Sequence, residues 1–231
     1  MANLHTTIAG IRSPNPFWLA SAPPTDKAYN VNRAFEAGWG GVVWKTLGEA
    51  GPPVVNVNGP RYGALLTPDR RLLGFNNIEL ITDRDLEINL AEITEVKRNW
   101  PDRAMVVSLM VPCEEKAWKA ILPRVEDTGA DGVELNFGCP HGMSERGMGA
   151  AVGQVPEYIE MVTAWCKLHS KLPVIVKLTP NITDVRQPAR AAKRGGADAV
   201  SLINTISSIM GVDPATLTMS PSTGGKGSHG G

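Results

Sequence analysis

The chain has 231 residues, 42% hydrophobic and 20% charged, with 23 Lys plus Arg balanced by 23 Asp plus Glu. That is an ordinary globular balance, and a net charge of zero offers no basic face for nucleic acid or an anionic membrane. No apolar run reaches the length of a membrane span, and residues 1–7 lack the regions of a signal peptide. Cys113, Cys139 and Cys166 have neither disulfide-framework nor zinc spacing, which suits a reducing cytoplasm.

In chain order, Thr6 to Arg12 reads as a small hairpin turning near Gly10. Short apolar runs then predict six strands: 17–21, the run ending at Lys45, 104–109, 132–135, 173–177 and about 198–203. Between them, residues 29–38, 86–99, 114–128, 156–169 and 184–195 carry apolar residues at helical spacing. Three segments repeat one pattern, a glycine-closed helix followed by a Val-rich strand and a polar residue: Glu36 to Lys45, Asp127 to Asn136 and Arg194 to Asn204. Strands alternating with helices predict a parallel α/β architecture.

A polar residue lies at or beside each strand end: Ser21, Lys45, Ser108, Asn136, Lys177 and Asn204. In a (β/α)8 TIM barrel the strand C-termini build the active site; an open doubly wound sheet also binds ligands there. The reading favoured is one barrel domain over 1–231, its bottom covered by the N-terminal hairpin. A closed barrel needs eight strands and about 250 residues, so the chain is expected to be truncated after about six strands, incomplete at its C-terminus, with unpaired edges.

Two stretches invite ligand chemistry. The segment from Lys45 to about Leu86 is long and rich in Gly, Pro and Asn, as binding loops or lids are. Within it, Asn76 and Asn77 can hydrogen-bond a planar amide, although one of them is expected in turn chemistry. The second stretch is Glu134 to Gly149: a strand runs into Asn136, then Phe137, Gly138, Cys139, Pro140 and a glycine-rich loop. Most unpaired cysteines are buried and structural, but a thiol on a loop held by a rigid scaffold is well placed for chemistry. His141, Glu145 and Arg146 on that loop could close over a ligand or form surface pairs, and no chemistry is assigned to them. Residues 224–231 resemble a phosphate loop only superficially, lacking its spacing.

These motifs carry a family resemblance over essentially the whole chain. Trp44-Lys45-Thr46, Phe75 to Leu80, Glu134 to Gly149, Val176 to Asn181 and Ile203 to Ser207 resemble the flavin-dependent dihydropyrimidine dehydrogenases, in particular the FMN-containing catalytic subunit of the NAD-dependent enzyme. The wider superfamily includes the dihydroorotate dehydrogenases. Phe137-Gly138 departs from the Leu-Ser of many relatives, which removes a serine hydroxyl and leaves backbone groups to meet the substrate.

The resemblance implies an FMN-binding barrel and an oxidoreductase of pyrimidine catabolism that reduces the C5–C6 bond of uracil or thymine. Cys139 is the implied proton donor; an ordinary thiol, near 8.5, stays protonated at neutral pH. Ala20, Ser21, Lys45, Thr46 and Lys177 are the implied FMN contacts, and Asn77, Asn136, Phe137, Gly138, Asn204 and Thr205 the substrate contacts. Two [4Fe–4S] clusters are implied only for a C-terminal part beyond this chain, and FAD and NAD for a companion subunit in a hetero-oligomer. The other readings are dihydroorotate oxidation and an inactive barrel fragment that binds no flavin. Cys113 and Cys166 read as structural thiols near helices.

Overall fold

The computed structural model describes residues 2–51, 54, 62–140, 147–209 and 211–220. The chain opens with the hairpin β1 (Thr6–Ile8) and β2 (Ile11–Ser13), whose turn holds Ala9 and Gly10 at positive φ. There follow β3 (Trp18–Leu19), α1 (Ala28–Glu36), β4 (Gly41–Leu47), β5 (Tyr62–Leu66), β6 (Leu72–Asn77), α2 (Leu86–Asn99) and β7 (Ala104–Leu109). Next are α3 (Glu115–Glu126), β8 (Gly132–Asn136), α4 (Ala150–Gly153), α5 (Pro156–His169), β9 (Val174–Lys177), α6 (Arg186–Arg194), β10 (Ala199–Ser201), β11 (Gly211–Val212) and β12 (Met219–Ser220).

Six strands form one parallel sheet in the order β3-β4-β7-β8-β9-β10. Each new strand joins the same edge, with no point where the order reverses. That winding is the barrel's, and it sets aside the doubly wound alternative. The outer face, with Trp44, Val107, Leu135 and Val176, packs into a core shared with the helices. The inner face buries Val43, Val106 and Ile175 against Ile11, so the hairpin plugs the strand-start end as expected. A Cβ on Gly132 would lie 2.7 Å from Ile11 Cδ1 and 3.3 Å from Pro173 O, so the plug packs closely over this glycine.

The repeat in the sequence has a structural counterpart at that end. Asp131 donates its N–H to Met105 O (2.8 Å) and accepts from Met105 N (2.8 Å) and Lys97 Nζ (2.7 Å) on Oδ2. Asp198 does the same one unit later: its N–H reaches Val174 O (2.9 Å), and its Oδ2 accepts from Val174 N and Lys167 Nζ, both at 2.7 Å. Gly40 holds this place in the first repeat. A Cβ there would meet Asn15 O at 2.3 Å, and Ser13 Oγ donates to Gly40 O instead (2.9 Å).

Helix ends are capped across elements. Asp85 caps α2 by accepting from Glu87 N (2.7 Å). Lacking a side-chain cap of its own, α1 has Ala28 N donating to Glu92 Oε2 of α2 (2.8 Å). Arg84 pairs with the same carboxylate, and its hydrogen bonds hold Glu92 below the usual carboxylate range.

The expected long loop after Lys45 is a hairpin in part. Strands β5 and β6 pair antiparallel and project from the sheet, with Leu65, Leu72, Leu73 and Phe75 exposed. With their large apolar side chains exposed, no alternation of apolar and polar residues marks them as strands.

Candidate active site

The strand ends enclose a cavity of about 380 Å³. Ser21, Lys45, Thr46, Asn77, Asn136, Cys139, Lys177, Asn204 and Thr205 all line it, together with apolar Ile81, Ile203 and Ile206. Consecutive residues of a regular strand point to opposite faces, yet Lys45 and Thr46 both face the cavity. A bulge makes this possible: Trp44 pairs with Val107 and Leu47 with Leu109, so β4 carries one residue more than β7.

Thr46 is the centre of a hydroxyl and amide network. Its Oγ1 lies 3.1 Å from Ser21 Oγ and 2.9 Å from Ser108 Oγ, and accepts from Asn136 Nδ2 at 2.9 Å. Its N–H donates to Ser21 Oγ (3.0 Å). The single group thus ties the C-terminal ends of β4, β7 and β8 to the segment after β3.

Asn136 shapes the turn that presents Cys139. Its Oδ1 accepts from Gly138 N (3.3 Å), Cys139 N (3.1 Å) and Asn204 Nδ2 (2.9 Å). Asn204 Oδ1 in turn accepts from Thr205 N at 2.7 Å. Asn204 also fixes the neighbouring glycine, since a Cβ on Gly138 would stand 2.3 Å from Asn204 Cβ. Asn136 is therefore an organiser of the mouth, its acceptor oxygen already engaged by protein groups. Cys139 is 7% exposed and packs on Ile81, Met110 and Met148. Gly149, at positive φ, approaches so closely that a Cβ would meet Cys139 O at 2.6 Å.

Three anticipated residues stand apart from the cavity lining. The Phe137 ring is buried among the helices in a T-shaped contact with Trp118, centroids 6.2 Å apart, so only its backbone faces the turn. Gly138 carries the turn beneath Asn204. Ala20 borders an adjoining interior cavity of about 450 Å³. Cys166 lies in the core, where burial pushes its thiol up, and burial also raises Cys113. Residues 141–146 of the Cys139 loop and the terminal 224–231 fall outside the described residues.

Glu79 joins the site unannounced by the sequence. Lys45, 7% exposed, donates to Glu79 Oε2 at 2.8 Å, and Tyr62 OH of the hairpin donates to Glu79 Oε1 at 3.0 Å. A buried lysine demands a counter-charge, and that signal was available; the partner 34 residues away was not. The hairpin is also tied down by Asn76 Nδ2, which donates to Ser208 Oγ (2.8 Å). Asn77 Oδ1 is buried with no hydrogen-bond partner in the structure. Such an acceptor calls for a donor.

The mouth thus gathers amides, hydroxyls, two lysines, a carboxylate and a thiol at the C-terminal ends of a singly wound β/α sheet, the position of the active site in (β/α)8-barrel enzymes. Residues 3–229 match the family model described as dihydroorotate dehydrogenase, and the chain belongs to that family. Over 234 residues it is 42% identical to the chloroplastic dihydropyrimidine dehydrogenase (NADP(+)) of Arabidopsis thaliana, covering 99% of this chain and 55% of the relative. Over 226 residues it is 39% identical to the NAD-dependent dihydropyrimidine dehydrogenase subunit PreA of Escherichia coli K12, covering 98% and 54%. The chain therefore spans about half the length of these curated relatives. Among solved structures, dihydroorotate dehydrogenase of Eimeria tenella in complex with ferulenol superposes with a TM-score of 0.71 at 17% identity, over 99% of this chain and 65% of that one, a likeness of fold. No helix among the described residues is long and apolar enough to cross a membrane.

Proposed function

We propose that this chain carries the FMN and pyrimidine site of a dihydropyrimidine dehydrogenase, which reduces the C5–C6 double bond of uracil or thymine. The observation that carries the reading is Asn77, which lines a mouth shared with Cys139, Asn204 and Thr205 and whose buried Oδ1 has no partner. A pyrimidine presents alternating carbonyl and N–H groups, and amides match both. Asn77 would accept from a ring N–H, while the remaining donors of Asn136, Asn204 and Thr205 would meet ring carbonyls.

The residues present fit FMN. A cavity of about 380 Å³ lies within the usual range for ligand sites. Lys177 offers a fixed cation, and Ala20, Ser21 and Thr46 offer backbone and hydroxyl groups. FMN supplies the hydride when bound. Cys139 holds the proton for the other carbon on its Sγ, and general-acid help of this kind contributes about 10²–10⁴-fold. Lys177 stabilises negative charge that develops on the ligand. The [4Fe–4S] clusters, and an FAD- and NAD-binding companion subunit, belong to the rest of a hetero-oligomeric enzyme; three scattered cysteines lack the spacing to hold a cluster. Thiols in all three cysteines suit a cytoplasmic or similarly reducing setting.

Dihydroorotate chemistry is the rival. Orotate adds a carboxylate and calls for a further cation beside the one serving the flavin; Lys177 takes that role, and Lys45 is neutralised by Glu79 within the mouth. The deciding test loads the purified chain with FMN, reduces it without oxygen, and adds uracil, thymine or orotate. Reoxidation by uracil or thymine supports the proposal. Reoxidation by orotate alone would assign the site to the rival, and a chain that takes up no FMN would support the inactive-fragment reading.

A further inference from the structure

One buried acid has no part in the reaction just described. Glu134 sits on β8 two residues before Asn136, on the same inner face, and is 2% exposed. Its Oε1 is buried without a hydrogen-bond partner. In register beside it stands Ser108 of β7, while Asn136 pairs with Lys177 of β9 and Lys177 with Ser201 of β10. The nearby hydroxyls of Ser108 and Ser201 and the Lys177 ammonium all favour its charged form. Burial outweighs all three and raises the group's proton affinity. The other charged side chains of the mouth are Lys45 and Glu79, which neutralise one another.

Two routes connect this acid to its surroundings. Ser108, the register neighbour of Glu134, has its Oγ 2.9 Å from Thr46 Oγ1 at the centre of the mouth network. Lys177 lines both the mouth and the second cavity of about 450 Å³, which Glu134 also borders.

While Glu134 is ionised, part of the Lys177 field is neutralised beneath the mouth. Protonating Glu134 turns that field towards the ligand. We infer that Glu134 is a buried proton acceptor that takes up a proton when negative charge is added to the ligand in the mouth. It acts through Lys177 and the Ser108–Thr46 hydroxyls, as a positioning residue. The inference rests on the flavin reading above. Two electrons and one proton added to FMN leave it one charge more negative; a second proton passes from solvent to a Glu134 carboxylate oxygen, forming one O–H bond and breaking none in the protein.

The test is the pH dependence of the two-electron potential of the FMN-loaded chain, read spectroscopically against reference dyes. One proton per two electrons moves the equilibrium tenfold per pH unit, about 30 mV. Two protons move it a hundredfold, about 60 mV. The wild type is expected to show the steeper slope over the interval in which Glu134 changes charge. Glu134→Gln, which keeps the shape, is expected to show the shallower slope throughout, and Glu134→Asp to restore the steeper one. Equal slopes in wild type and Glu134→Gln would overturn the inference. Should Glu134→Gln fail to fold, a wild-type slope that stays tenfold per pH unit at every pH overturns it equally. A chain that takes up no FMN overturns the flavin reading, and this inference with it, and is recognised by absorbance before any potential is measured.

Discussion

The two ends of the sheet use polar groups in opposite ways. At the strand starts, Asp131 and Asp198 repeat one clamp, and each Oδ2 is occupied by a backbone N–H and a lysine. At the strand ends, the network around Thr46 and Asn136 has no second copy among the described residues, and Asn77 Oδ1 and Glu134 Oε1 stay buried without a partner. A satisfied group contributes to stability and leaves nothing over for a ligand; an unsatisfied one is destabilising in the empty fold and is tolerated where something else answers it. The contrast separates the clamps of the scaffold from the site, although Arg103 Nε beside the start of β7 is also buried without a partner.

The largest test of that separation is Cys139→Ala. Turnover of the FMN-loaded chain is expected to fall by about 10²–10⁴-fold, with FMN uptake and melting temperature close to wild type; steady-state rates with near-normal turnover would remove Cys139 from the chemistry. Gly138→Ala comes next. A methyl 2.3 Å from Asn204 Cβ must displace that side chain, so pyrimidine affinity is expected to drop, alongside an overpacking penalty of about 1–3 kcal/mol. Titration calorimetry and denaturant unfolding would read the two effects separately.

At the other end, Asp131→Ala and Asp198→Ala each strand a backbone N–H and a lysine. Both are expected to lose about 1–3 kcal/mol of stability and to leave ligand affinity unchanged. Unequal losses in urea unfolding would show that the two clamps are equivalent in geometry only. The smallest effect is in pH, and its sign differs between the ends. Partial burial opposes the charge of Asp198, but hydrogen bonds from Lys167 and Val174 N prevail and hold it below the ordinary value. Its contribution is present above the usual carboxylate range and lost as pH falls through the lowered value. Glu134 is held high, so the fold loses stability as pH rises from that range towards the raised value. Melting curves against pH should therefore flatten on the acid side in Asp198→Asn and on the alkaline side in Glu134→Gln.

Much of the scaffold was legible in the sequence. Helices 86–99 and 156–169 and strand 104–109 run as their apolar patterns predict, because each helix buries one face and the strand is buried on both. The strand-end polar residues also converge as expected, since parallel winding brings all C-termini to one rim. The β5–β6 hairpin was not legible, because exposed Leu72, Leu73 and Phe75 carry no burial pattern. Nor was the direction of Phe137, which follows from Trp118 packing on the far side of the sheet. Glu79 escaped for a similar reason. Its meaning depends on Lys45, and only the folded chain brings the two together. Asn136 was legible as a rim residue, but its commitment to the Cys139 turn depends on backbone N–H groups that composition does not display.

The extra residue in β4 has a consequence for how such a site can be gained or lost. Excising Thr46 alone would restore even pairing between β4 and β7 and leave Trp44 and Leu47 in their buried places. The same excision would remove the hydroxyl that joins Ser21, Ser108 and Asn136. A single codon therefore carries both the irregularity of the strand and the knot of the rim.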